Sequence, residues 1–166
     1  MNVSNAALDW FNEDKEKSVD ELVIDSLYSG NNTMYIAPAG AGKSVLYRSI
    51  ALTLQDSAVC VGSTGVSAVN IGGQTAHKMF KIPFGIPSAK DYAKAEIGSL
   101  KKIFNKRSPV KFILFDEISM AHPESFKWID WVLKKCYDND LPFGGLTMFS
   151  VGDLFQLGAV ISKDEK

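Results

Sequence analysis

The sequence predicts an α/β domain, three layers deep, with a mostly parallel central sheet. Three observations predict it. Short apolar runs alternate with stretches of helical period along the chain. One of those runs opens "MYIAPAGAGKSVLYRSI", residues 34–50, which reads as strand, glycine-rich turn and helix. And the three motifs with chemical content follow strands, where ligands of parallel sheets bind: one after Ala37, one at Asp116-Glu117, one at Gly152-Asp153. The length of 166 residues suits one domain.

Taken in order, residues 12–29 have helical period, with Asn12 as N-cap, an apolar stripe of Val19, Leu22, Val23 and Leu27, and Gly30 as the stop. Residues 33–37 are a short buried strand and 43–54 a helix; 58–62 are a second strand. A short helix over 66–70 ends at Gly72-Gly73, and another covers 75–80. Pro83, Pro87 and Pro109 bracket a lysine-rich insertion over 81–110 that holds a helix near 90–105. Residues 111–116 form a third strand and 146–151 a fourth. Between them, 123–137 form a helix with Phe126, Ile129, Val132 and Leu133 on its apolar face.

Composition excludes several classes. At 46% hydrophobic and 22% charged residues the chain is of ordinary globular type. No apolar run approaches the roughly 20 residues of a membrane span, and residues 1–17 lack the basic-then-apolar order of a secretory leader. Cys60 and Cys136 sit in apolar company and read as buried thiols. An intracellular, reducing location is expected. The net charge of −1 is unevenly spread: the first 30 residues are acidic, whereas 78–111 carry nine basic residues against Asp91 and Glu96. A polyanion footprint and a solvated lysine surface both fit that pattern.

In the loop Ala37, Pro38, Ala39, Gly40, Ala41, Gly42, Lys43, Ser44, the glycines let successive N–H groups face phosphate oxygens, and the helix that follows adds its positive end. Lys43 is placed to reach the β- and γ-phosphates and Ser44 to hold Mg²⁺. The usual pattern begins with glycine; Ala37 fits wherever its φ is negative. "KFILFDEISM" delivers Asp116 and Glu117 at a strand end. Asp116 suits the metal, and Glu117 the water that attacks the γ-phosphate. The joint signal is ATP or GTP hydrolysis.

"GSTGVSAVNIGGQTAHKMFKIP" and "LPFGGLTMFSVGDLFQLGAV" narrow the reading. With the D-E-I-S-M segment they resemble the PIF-type DNA helicases of superfamily 1B, a family that includes the helicases of Helitron transposons. The resemblance runs from about Asn12 onward. It implies a P-loop domain of the RecA-like type, bound ATP and Mg²⁺, 5′-to-3′ movement on single-stranded DNA and duplex unwinding. By the same resemblance Lys43 and Ser44 take the phosphates and metal, and Asp116 and Glu117 the metal-holding and catalytic roles. Gln156 takes the place of a glutamine that senses the γ-phosphate, while Thr64, Gly65, Asn70 and His77 belong to the DNA-facing segment. For His77 a structural role stays open beside a DNA contact, and for Asp153 a structural role stays open beside that of orienting the loop.

The chain departs from the family at three further points. Lys15 stands where an adenine-reading glutamine would fall, in a spacing like that of the phage helicase Dda; lysine can only donate, so weak base selectivity is expected. "QLGAV" replaces "QLPPV". The family's second RecA-like domain, with its γ-phosphate arginines, is expected to be absent from these residues. Two rivals remain. A P-loop kinase or GTPase lacks support, since no guanine-reading N-K-x-D occurs. A non-catalytic nucleotide- or DNA-binding module, acting with a protein partner, is the second.

Overall fold

Phe112, Ile113, Leu114 and Phe115 are all buried, as the middle strand of a parallel sheet covered on both faces requires. The computed structural model describes residues 17–104 and 110–153. Its strands are β1 (Thr33–Ile36), β2 (Ala58–Gly62), β3 (Gln74–Thr75), β4 (Phe112–Asp116) and β5 (Thr147–Gly152). They pair in the order β1-β5-β4-β2-β3, every pair parallel. The helices are α1 (Val19–Tyr28), α2 (Lys43–Leu54), α3 (Gly65–Asn70), α4 (Ala76–Phe80), α5 (Ala89–Lys94), α6 (Ile97–Phe104) and α7 (Pro123–Tyr137).

The pleat of β4 divides the core in two. Phe112 and Leu114 join Phe149 and Val151 of β5 under α1 and α2, against Leu27, Tyr47, Ile50 and Leu54. Ile113 and Phe115 point the other way, onto Trp128, Ile129, Val132 and Leu133 of α7. Two buried polar bonds tie each helical layer to its surroundings. Tyr47 donates its hydroxyl to Leu114 O at 2.9 Å, and Trp128 Nε1 donates to Phe80 O at 2.9 Å, fixing α4 beside α7. The result is the expected three-layer domain.

The structure corrects several expectations. β1 is not buried: it pairs only with β5, at the edge of the sheet, and alternates half-buried Thr33 and Tyr35 with exposed Met34 and Ile36. The first helix begins at Val19, because Ser18 and not Asn12 is its cap: the Glu21 carboxylate accepts from Ser18 N and Oγ, both at 2.8 Å. Asn12 itself lies outside the described residues. Thr75 caps α4 rather than starting it, and Gln74-Thr75 pairs with Val61-Gly62 as an edge strand. The helix expected near 90–105 is two, α5 and α6, broken where Ala95 takes an extended backbone. Cys60 and Cys136 are free thiols; Cys136 is buried as expected, which pushes its thiol up to about 11, whereas Cys60 is only half-buried. Among the described residues no helix is long and apolar enough to cross a membrane.

Candidate functional site

Because every strand runs the same way, β1, β2, β4 and β5 bring their carboxyl ends to one edge, and the loops leaving there share a cleft of about 400 Å³. β1 leads into Ala37, whose N–H donates to Gly152 O at 3.2 Å, so extended pairing continues one residue past the strand. Among the described residues the non-glycines with positive φ are Gln55, Lys81, Glu117, Asp138 and Phe143. Ala37 is not one of them, so alanine stands at the head of this loop without backbone strain. Gly40 and Gly42 do need their freedom: both have φ +80°, with nothing within 4 Å of a Cβ. Gly42 then caps α2, and the N-terminal N–H groups of that twelve-residue helix face the cleft's Lys43-Ser44 end.

Lys43 is folded back over its own loop. Its ammonium donates to Ala37 O at 2.6 Å and Pro38 O at 2.7 Å and lies 3.8 Å from Asp153 Oδ2. These are charge-assisted contacts that a phosphate entering the loop would replace. Asp153 follows β5, is buried and lies beside the loop's lysine.

β4 delivers the acid pair. Asp116 is 9% exposed, and burial, reinforced by the charge of Glu117 next to it, raises its carboxyl above the ordinary aspartate range. Lys43 acts in the opposite direction. Glu117 sits in the left-handed region, φ 54° and ψ 47°. The loop after β2 stabilises that turn: Ser63 N donates to Asp116 O at 3.1 Å and Ser63 Oγ to Glu117 O at 2.6 Å. Thr64 Oγ1 donates to Glu117 Oε2 at 3.3 Å.

Ser44 and Asp116 both line the cleft, and their hydroxyl and carboxylate are the hard oxygen donors that Mg²⁺ takes. Among the described residues no cluster of three or more His, Cys, Asp or Glu could hold a metal alone. Substrate phosphates and water would complete such a site, as is usual for Mg²⁺. The raised Asp116 sets a pH dependence. Its folded-state carboxyl titrates above its unfolded one, so the empty chain is stabilised by acid as pH falls through the folded value. A ligand that needs the carboxylate is released in the same window. Stabilisation by Mg·ADP, read as a melting-temperature shift, is therefore expected to shrink at a pH above that of an ordinary aspartate. With Asp116→Asn the shift should be small and flat with pH; an acid limb that survives this substitution would assign it elsewhere.

The structure brings Ala39, Gly40, Gly42, Lys43, Ser44, Asp116 and Glu117 to one cleft. Pro38 contributes only its carbonyl, and Ala41 lines a neighbouring cavity of about 400 Å³ with Val19, Tyr35 and Leu46. Asn70, expected among the DNA-facing residues, lines the phosphate cleft, where Arg48 Nη2 donates to its carbonyl at 3.1 Å. Thr64 is half-buried with its hydroxyl engaged, whereas Gly65 and His77 are exposed. Lys15 and Gln156 lie outside the described residues. Ser63 and the tether from Arg48 were missed by sequence reasoning; a Ser-Thr pair directly after a strand next to the acid-bearing strand was the available signal.

Gly62 holds this arrangement together by absence. A Cβ there would lie 2.3 Å from Ser67 Oγ and 2.6 Å from Ala68 N, so α3 packs directly on the strand end. Gly62→Ala should destabilise the fold by about 1–3 kcal/mol, the usual range for overpacking. Urea unfolding measures it, and an unchanged midpoint would mean that α3 shifts freely.

Comparison with known proteins agrees with this geometry. A family model described as PIF1-like helicase matches residues 11–166. The chain is similar to the ATP-dependent DNA helicase PIF1 of Candida albicans, 34% identical over 147 residues, which span 86% of this chain and 16% of that protein. It is 35% identical over 139 residues to the ATP-dependent DNA helicase RRM3 of Saccharomyces cerevisiae, covering 81% of the chain and 19% of the relative. The crystal structure of a Bacteroides Pif1 helicase in complex with ADP-AlF3 and ssDNA superposes with a TM-score of 0.79 at 29% identity, over 90% of this chain and 35% of that one. The chain thus spans about a sixth to a fifth of the length of these two curated relatives.

Proposed function

This chain belongs to the PIF1-like helicase family, and we propose that it is the ATP-binding motor domain of a 5′-to-3′ DNA helicase. In that role it couples ATP hydrolysis to movement along single-stranded DNA when joined to a second RecA-like domain. The observation that carries the reading is the single cleft in which Lys43, Ser44, Asp116 and Glu117 converge at the carboxyl ends of β1 and β4. Its neighbour beside Ala41, walled by Val19, Tyr35 and Leu46, is apolar enough to take the base.

ATP's phosphates lie in the loop, where the N–H groups at the start of α2 and the Lys43 ammonium meet their charge. Ser44 and Asp116 would hold Mg²⁺, which when bound neutralises charge on the β- and γ-phosphates. Glu117 orients a water toward the γ-phosphorus and accepts its proton; the water oxygen forms the new P–O bond as the bond to the β-phosphate oxygen breaks. Gln156 reports the γ-phosphate to the DNA side, and Lys15 contacts the base with little selectivity. Single-stranded DNA crosses the side bearing Gly65 and His77, with lysines such as Lys78 nearby.

Titration of a fluorescent oligothymidine tests the DNA part. Binding is expected to be weak and to fall steeply between low and physiological salt, because Lys contacts to phosphates release counterions. Affinity that ignores salt, or no binding at low salt, would argue against it.

A further inference from the structure

Among the described residues, the Glu117 carboxylate has one hydrogen-bond donor, and it lies 53 positions away in sequence: Thr64 Oγ1, at 3.3 Å from Oε2. The same hydroxyl does other work. Its oxygen accepts from Ser67 N at 3.1 Å and so caps α3, and Ser67 Oγ lies 3.2 Å from it as a second acceptor for its proton. One hydroxyl proton thus has two destinations at nearly equal distance, the catalytic carboxylate or the serine of α3. The backbone of Glu117 is meanwhile pinned by Ser63, so only its side chain is left to respond.

We infer that Thr64 is a positioning residue that restrains Glu117 in the resting chain, and that DNA crossing α3 releases it. The inference rests on the motor-domain reading above. While the hydroxyl points to Glu117, a lone pair of the carboxylate is spent on Thr64 and is not open to the attacking water. When the proton turns to Ser67, that lone pair is free. A bond of 3.3 Å between oxygens is long and weak, so a small shift of α3 breaks it. Gly65 and Val66, which follow Thr64 directly, are exposed on the side assigned to DNA, so strand contact there acts on α3 itself. The other end of α3 has a second link to the site: Asn70 lines the cleft, and its carbonyl is tethered to Arg48 on the helix that begins at the phosphate loop. Both ends of this six-residue helix therefore reach the nucleotide site, while Gly65, Val66 and Val69 are exposed on it.

The test is single-turnover ATP hydrolysis by the full chain with and without oligothymidine, in wild type, Thr64→Val, Thr64→Gly and Thr64→Ser. Valine removes both the donor and the cap; glycine removes the donor without adding charge beside Glu117 and is itself a tolerated N-cap. Both are expected to raise the DNA-free rate about threefold to tenfold, the scale of one hydrogen bond, and to bring the ratio of DNA-stimulated to DNA-free rate toward one. ADP affinity should stay unchanged, and Thr64→Ser should restore wild-type behaviour. Rates in Thr64→Val and Thr64→Gly that match or fall below wild type in both conditions would overturn the inference. If valine unfolds the chain, which circular dichroism reads, glycine alone decides. Lys43→Ala separates the two levels. Hydrolysis or nucleotide binding that does not depend on Lys43 would remove the motor-domain reading itself, whereas Lys43-dependent hydrolysis indifferent to Thr64 would remove only this inference.

Discussion

ATP turnover by residues 1–166 with saturating single-stranded DNA is expected to stay far below about one per second, the low end of the ordinary enzyme range. Phosphoryl transfer needs positive charge on the equatorial oxygens of the γ-phosphate, and a positioned arginine is worth about 10³ to 10⁵ in rate. This sequence has two arginines, Arg48 and Arg107. Arg48 is spent on the Asn70 carbonyl at the rim of the cleft, and Arg107 lies outside the described residues. Among the described residues Lys43 is the cation that lines the cleft, and its charge is needed on the β- and γ-phosphates together. Movement along DNA further requires two bodies that open and close around the nucleotide. The chain should therefore hold ATP, turn it over slowly and separate no strands. Phosphate release above about one per second, or unwinding of a forked duplex by this chain, would overturn that expectation.

Replacing Lys43 by alanine should weaken Mg·ATP binding by about tenfold or more, on the scale of a charge-assisted hydrogen bond. The loss has a partial offset. In the empty chain the ammonium already has Ala37 O and Pro38 O as acceptors and Asp153 close by, so phosphate binding exchanges those contacts for better ones. Once the lysine is gone, the Ala37 and Pro38 carbonyls that it engaged face the incoming phosphates instead, which adds repulsion to the missing attraction. Calorimetry on wild type and Lys43→Ala reads the difference; equal affinities would mean that the phosphates bind elsewhere.

Elements with a strong local period were legible in the residues. Residues 43–54 and 123–137 coincide with α2 and α7, because a glycine or histidine cap and a long apolar stripe fix both ends. Residues 58–62 coincide with β2, a short apolar run that stops at Gly62. The misplaced start of the first helix shows the limit: Asn12 is as good a cap by type as Ser18, and what decides is a Glu21 carboxylate bonding back to Ser18. β3 was missed because two residues carry no period. In the site, the loop and the acid pair were legible since each is contiguous. The Thr64–Glu117 bond and the Arg48–Asn70 tether were not, being contacts between strand ends and helices brought together only by the parallel order of the sheet. Ala37, the oddest letter in the loop, turned out to be neutral for a reason sequence could state but not decide, the sign of its φ.

The most direct test of the central claim is a titration of ¹⁵N-labelled chain with Mg·ADP, followed amide by amide. The account predicts that shifts concentrate at Gly40, at Gly42 to Val45, at Asp116 and Glu117, and at Gly152 and Asp153, the groups that line one cleft. It also predicts that Lys43→Ala moves the same set only at much higher nucleotide concentration. Shifts gathered instead around the apolar cavity of Met34, Phe126 and Phe143, or no shifts at millimolar nucleotide, would contradict it.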